Sequence, residues 1–345
     1  MEKHPAKQST TEFNTRDETM TRDTWLTIKD QIKITPVCWP TMFILFFDVF
    51  LLYISWKIFP NTVLEKFLSY FLATLAFLQV YLILHEATHT AISKISSIND
   101  MIGHICGFAV LMPYLPRQTS HLLHHTWTGH PVRDPANNRM IQKFSVITER
   151  DVKKIERLWK YWIPVIIIND RIGLWLSPHK NKKNGNQTAK NEKELFWNKQ
   201  YLFGYTIFIV FLIISQNFAL FTLWFLPSII SAFIIEELVN LPHHAETPLL
   251  SPTDKAVPYW EQQLVTHSCK SIPVWSKFII LSFNLHVAHH YYPNAPWSQL
   301  HNLDQKIKND SQTSVDQLNE FSWSLKNRRK PLMSLMGHYF SKETI

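Results

Sequence analysis

The chain has 345 residues, of which 46% are hydrophobic and only 18% charged, with 13 Trp, 23 Phe and 11 Tyr. Seven glycines, none in a GxGxxG or GxxxxGK pattern, exclude a Gly-rich nucleotide-binding scaffold. A formal net charge of +8 suits either a nucleic-acid footprint or the basic loops of a membrane protein; the apolar runs below favour the membrane, with no nucleic-acid partner.

Cys38, Cys106 and Cys269 are far apart and form no CxxC pair, so neither a disulfide framework nor a cysteine zinc site is expected. The first 30 residues are polar with mixed charges and show no cleavable signal peptide, and residues 1–38 read as a cytoplasmic N-terminal segment. Four apolar segments then approach the roughly 20 residues that a span requires. They are Trp39–Phe59, which carries Asp48, then Phe67–Leu84 without a charge, Tyr201–Ser215, and Leu220–Val239 with Glu236 and Glu237 near its end. Pro60–Lys66 and Gln216–Ala219 join them as two hairpins. The lysines collect elsewhere, in Ser177–Lys199 (Lys180, Lys182, Lys183, Lys190, Lys193 and Lys199). The positive-inside rule therefore places both termini and the central region in the cytoplasm. Tyr161–Leu176 and Ile272–Leu285 contain prolines and charges and read as interfacial helices.

The fold class expected is an all-α integral membrane protein: four transmembrane helices in two hairpins, with a cytoplasmic helical cap. Residues 39–305 form the membrane domain and 306–345 a cytoplasmic tail.

Most of the 17 histidines are grouped. HEATH holds His85 and His89, HLLHH holds His121, His124 and His125, NLPHH holds Asn240, His243 and His244, and HVAHH holds His286, His289 and His290. On a helix, positions i, i+3 and i+4 share a face, so each group directs its imidazoles one way. The first group begins where the second span ends and the third follows the fourth span, so the topology gathers them at one face. Nine imidazoles, counting one of the adjacent His243 and His244, exceed the three or four protein ligands of a single zinc, and two ions fit the count. Neutral nitrogen donors suit iron, zinc or copper. His85-Glu86-x-x-His89 also spells a zinc peptidase helix, with Glu86 as general base, but that reading leaves seven clustered histidines unused. A metal-storing or transporting protein is the non-catalytic alternative.

The set of motifs resembles the membrane fatty acid desaturase and hydroxylase superfamily. NLHVAHHYYPNAPW (residues 284–297) is similar to the third histidine box of acyl-lipid desaturases, HLLHHTWTGHPVRDP (121–135) to the second, and NLPHH to an additional N-x-x-x-H element. The resemblance covers roughly residues 40–305. It implies an oxygen-dependent oxidoreductase, a fatty acyl desaturase with two iron ions and O2 as co-substrate. The ligands it implies are His85, His89, His121, His124, His125, His244, His286, His289 and His290, with Asn240 acting weakly or through water and His243 as a rival to His244. Asp134, Glu236 and Glu237 are candidate carboxylates to orient imidazole N–H groups. There is no His-Pro-Gly-Gly haem signature, so electrons are expected from a separate ferredoxin or cytochrome b5-like donor with its reductase. The substrate class is a membrane lipid or other acyl carrier. Hydroxylases and ketolases of fatty acyl chains, carotenoids or alkanes share the boxes and are the nearest alternatives.

Overall fold

A computed structural model describes residues 20–136, 148–183, 188–245, 247, 250–310, 316–317 and 319–332. The outer parts of the two flanking segments, and residues 184–187 of the lysine-rich loop, lie outside the described residues. Helix is nearly the whole of the regular structure: α1 Arg22–Lys29, α2 Trp39–Ile58, α3 Val63–Thr88, α4 Ser96–Ala109, α5 Tyr114–Trp127, α6 Glu149–Lys160, α7 Val165–Lys183, α8 Ala189–Ile214, α9 Phe218–His244, α10 His286–Tyr291, α11 Leu300–Asp310 and α12 Glu320–Asn327. The described strands are two-residue pieces, β1 Ser268–Cys269 pairing in parallel with β2 Asp316–Gln317.

Four helices, α2, α3, α8 and α9, are long and apolar enough to cross a membrane. They follow the expected spans but are longer at the ends that matter. α3 starts at Val63, not Phe67, because Thr62 and Glu65 form a capping box: Thr62 Oγ1 accepts the Glu65 N–H, and Glu65 Oε2 accepts the Thr62 N–H (2.9 Å). It also continues past Leu84 through the first histidines. α8 begins at Ala189, well ahead of Tyr201, capped by Thr188. α4 and α5 form an apolar pair bent by 107°, which the sequence reading did not mark as a candidate span. Of Ile272–Leu285 only the first half is helical, with a short π-helix at Trp275–Ile279; Leu281 and Ser282 then take positive φ (46° and 58°).

α3 is the buried centre of the spans, while α2, α8 and α9 expose rows of large apolar side chains such as Phe43, Phe46, Phe50, Phe211 and Leu223. Such faces suit hydrocarbon, where only fully hydrogen-bonded backbone is tolerated. Inside the bundle small polar groups bolt helices together. Ser55 and Ser69 exchange hydroxyl-to-carbonyl hydrogen bonds (2.8 Å each), and Trp224 Nε1 donates to Ser55 Oγ (2.8 Å).

α9 carries Pro227 and Pro242, and each proline removes the N–H that would bond the carbonyl four residues back. Both freed carbonyls find hydroxyls: Tyr70 donates to Leu223 O (3.1 Å) and Ser324 to Leu238 O (3.1 Å). This is why the helix runs unbroken through NLPHH despite Pro242. The described parts of both flanking segments pack on the core. Trp25 Nε1 donates to Tyr291 O (2.9 Å), and Arg328, at the end of α12, is buried beneath Trp159 and Trp162.

Candidate metal centre

His85 lies in the last turn of α3 and His89 at its C-cap, where Thr90 takes φ 55° and stops the helix. α5 is pressed onto that end by Tyr114, whose hydroxyl donates to Ala87 O (3.1 Å). The Tyr114 ring lies so close to α4 that a Cβ on Gly103 would fall 2.4 Å from it, so only glycine fits there. The contact sets HLLHH of α5 opposite HEATH of α3. α9 delivers His244 from its last turn. α10 is held by the Val287 N–H donating to Ser268 Oγ (3.0 Å), and by Trp25, which Tyr292 stacks against at 5.8 Å.

The nine candidate histidines fall into two adjoining groups. In the first, His85, His89, His121, His125 and His289 each offer a nitrogen within 4.8 Å of all the others. The Nε2 atoms run His85–His121 at 2.8 Å, His121–His125 at 3.2 Å and His125–His289 at 3.1 Å. In the second, His124 lies 3.3 Å from His244, His244 lies 3.0 Å from His286, and His286 lies 3.2 Å from His290, again Nε2 to Nε2. The groups touch through His125 and His290, whose ring centroids are 4.1 Å apart. HLLHH thus serves both, with His121 and His125 in one and His124 in the other.

These contacts fit metal ions. One proton can serve only one of two facing nitrogens, yet His121, His125, His244 and His286 each meet two neighbours through the same Nε2. Neither nitrogen of buried His89 has a hydrogen-bond partner. Ligands at about 2.1 Å from an ion are separated by roughly 3.0–3.4 Å along the edge of an octahedron or tetrahedron, the spacing found here. Burial, reinforced by neighbouring imidazoles, holds His89, His286 and His290 well below the usual histidine range and brings His289 down to about 3. All four are therefore neutral lone-pair donors.

His243 does not join either group. Its Nδ1 lies 2.9 Å from His267 O, and its ring stacks on His286 at 4.4 Å. Asn240 lines the cavity beside the groups, and its Nδ2 donates to Glu236 O (2.8 Å). That cavity, about 180 Å³, opens on His121, His124, His244 and His286 and is walled by Ile166, Ile167, Leu241, Val265 and Phe283.

The fatty acid desaturase family model matches residues 62–321, a stretch that contains every group just described. The chain belongs to the fatty acid desaturase family. It is 38% identical over 55 residues to the omega-3 fatty acid desaturase fat-1 of Caenorhabditis elegans, a match covering 16% of this chain and 14% of the relative. It is 23% identical over 237 residues to an endoplasmic reticulum omega-3 fatty acid desaturase of Vigna radiata var. radiata, and 22% identical over 237 residues to the acyl-lipid omega-3 desaturase (cytochrome b5) of Arabidopsis thaliana. Each of these longer matches covers 64% of this chain and 58% of the relative, so the chain spans less than two thirds of the curated relatives it matches.

Of the three carboxylates singled out in this desaturase-family sequence, only Asp134 meets an imidazole. Its two oxygens lie 3.1 and 3.0 Å from His124 Nδ1 and also accept the N–H groups of Ala136 (3.0 Å) and Gly129 (3.3 Å). Removing such an outer partner typically costs about 10–100-fold in metal affinity or activity. Asp134→Asn is expected to lower turnover by that order, with bound-metal content falling in parallel; unchanged turnover would strip Asp134 of the role. Glu236 and Glu237 are engaged by arginines instead. Glu236 forms a two-pronged pair with Arg171 (3.2 and 2.6 Å), and Glu237 pairs with Arg328 (2.7 Å) while accepting the Ile166 N–H (2.8 Å). Glu237 therefore anchors the start of α7, which walls the cavity.

Spacing gave no sign of Gln262, whose Oε1 lies 3.1 Å from His290 Nδ1 and fixes that ring. Glu86 is buried and accepts the Trp297 N–H (3.1 Å), so it tethers the loop after HVAHH to α3. Glu86→Gln keeps the acceptor oxygen, so desaturation is expected to stay near the wild-type level in a lipid assay. Complete loss would point to a general-base role.

Proposed function

We propose that this chain is an oxygen-dependent fatty acyl desaturase with a non-haem di-iron centre. The observation that carries the reading is the division of nine buried or part-buried imidazoles into two adjoining groups with ligand-edge spacing, beside a cavity part of whose wall is apolar, in a fatty acid desaturase family chain. His85, His89, His121, His125 and His289 would hold one iron, and His124, His244, His286 and His290 the other, with Asn240 near the second. Bound iron would supply the one-electron chemistry with O2 that attacks an unactivated C–H bond.

The protein's own part is positional. Ile166, Ile167, Leu241 and Phe283 would receive the methylene chain in the cavity and exclude water from the reacting carbon. Asp134 and Gln262 would keep His124 and His290 oriented with Nε2 toward the ions. The lysine distribution supports a cytoplasmic face for the histidine groups and both termini, with residues 39–305 as the membrane domain. A separate ferredoxin or cytochrome b5-like protein would deliver the electrons; one relative is named for cytochrome b5.

The test is the acyl profile, by gas chromatography and mass spectrometry, of membranes from a host making this chain, with and without oxygen. New unsaturated chains formed only with oxygen are expected. Hydroxylated chains would move the assignment to a hydroxylase, and an unchanged profile would overturn the acyl substrate.

A further inference from the structure

We propose that His243, Cys269 and Glu320 form a zinc site distinct from the two histidine groups. The three residues come from the end of α9, β1 and the first turn of α12, and their donor atoms lie within 4.8 Å of one another. All three are buried, with 0%, 2% and 0% of their surfaces exposed. Neither carboxylate oxygen of Glu320 has a hydrogen-bond partner, and His243 Nε2 is likewise buried without one. A carboxylate so placed is costly unless a cation or a donor meets it.

The donor chemistry selects the ion. A thiol, an imidazole and a carboxylate are all zinc ligands, and sulfur disfavours magnesium and calcium. His243 is also set up as metal-bound imidazoles usually are, with its other nitrogen against a carbonyl: Nδ1 lies 2.9 Å from His267 O, which leaves the Nε2 lone pair available. Cys269 Sγ lies 3.8 Å from His243 Nδ1, so the thiol stands against the same imidazole ring. Binding would release the Cys269 proton to solvent and leave a thiolate on zinc.

The site would act as a staple. It would tie α12 and β1 to the end of α9, next to His244, and would fix the His243 ring that stacks on His286 at 4.4 Å. This gives His243 a task of its own and accounts for adjacent histidines turning to different places.

The test is the zinc and iron content of the purified full chain in detergent, measured by mass spectrometry in the same samples, for wild type, Cys269→Ser and Glu320→Gln. About one zinc per chain is expected in wild type. Both variants should lose zinc by about tenfold or more with iron unchanged. Iron is counted separately, so a failure of the di-iron reading would show there without altering the zinc result. No zinc in the wild type, or equal zinc in the variants, would overturn the proposal. Cobalt exchange is the second measurement, which needs no variant to fold. A thiolate-to-cobalt charge-transfer band is expected in the wild type, and its absence would also overturn the site.

Discussion

His289→Ala is expected to abolish desaturation while leaving the chain in the membrane. His289 stands at the junction of three sequence-distant elements. Its Nε2 is 3.1 Å from His125 Nε2, and its ring centroid is 4.6 Å from His85 and 4.7 Å from His89. Removing a group that merely orients a ligand costs about 10–100-fold, so removing a donor at the centre of its group should exceed about a hundredfold. Insertion should survive, because α10 keeps its anchors at Ser268 and Trp25 and none of the four long apolar helices is altered. The check is the acyl profile beside the amount of chain in the membrane fraction. Unchanged turnover would remove His289 from the ligands; loss of the chain from the membrane would make its role structural.

The second large effect is on stability. Arg171→Met should destabilise the protein by about 3–5 kcal/mol, the usual cost of breaking a buried ion pair from one side. Arg171 and Glu236 are both buried, and the guanidinium also lies 3.9 Å from the Phe233 ring centroid. Without Arg171, Glu236 loses its paired cation while remaining buried, beside Glu237 on the same helix. Combining Arg171→Met with Glu236→Leu should recover most of the loss, since an apolar pair can replace a buried ionic one. Thermal unfolding in detergent distinguishes the cases: a single variant as stable as wild type would mean that the pair does not hold α7 to α9.

What could be read in the sequence were features that repeat or run on. Spans are continuous apolar stretches and the boxes have helical spacing, so four long helices, and a face that gathers nine histidines, follow from composition and i, i+3, i+4 periodicity. The boundaries were less legible where local chemistry decides them. Thr62 and Glu65 start α3 before its apolar run begins, and Tyr70 and Ser324 rescue carbonyls that Pro227 and Pro242 set free, so the helix passes through a segment that looks broken. Residues 272–285 are apolar enough for a helix, yet Leu281 and Ser282 take left-handed backbone and turn the chain into α10. Within the site, spacing directed HLLHH to one face, but not its division between two groups, which depends on where α3 and α9 end. Glu236 and Glu237 looked like partners for imidazoles because they lie near His244 in sequence. Arg171 and Arg328 claim them through contacts 65 and 91 residues distant. Cys269 and Glu320 carry no spacing signal, because their common neighbour His243 lies on a different element.

The most direct measurement is the iron content of the purified, full-length chain, with the His289→Ala variant beside it. About two irons per wild-type chain are expected, with a clear loss in the variant, because each group of imidazoles supplies the donors for one ion. Wild-type protein that binds no iron under iron-replete conditions, or that fills the histidine groups with zinc alone, would contradict the di-iron centre.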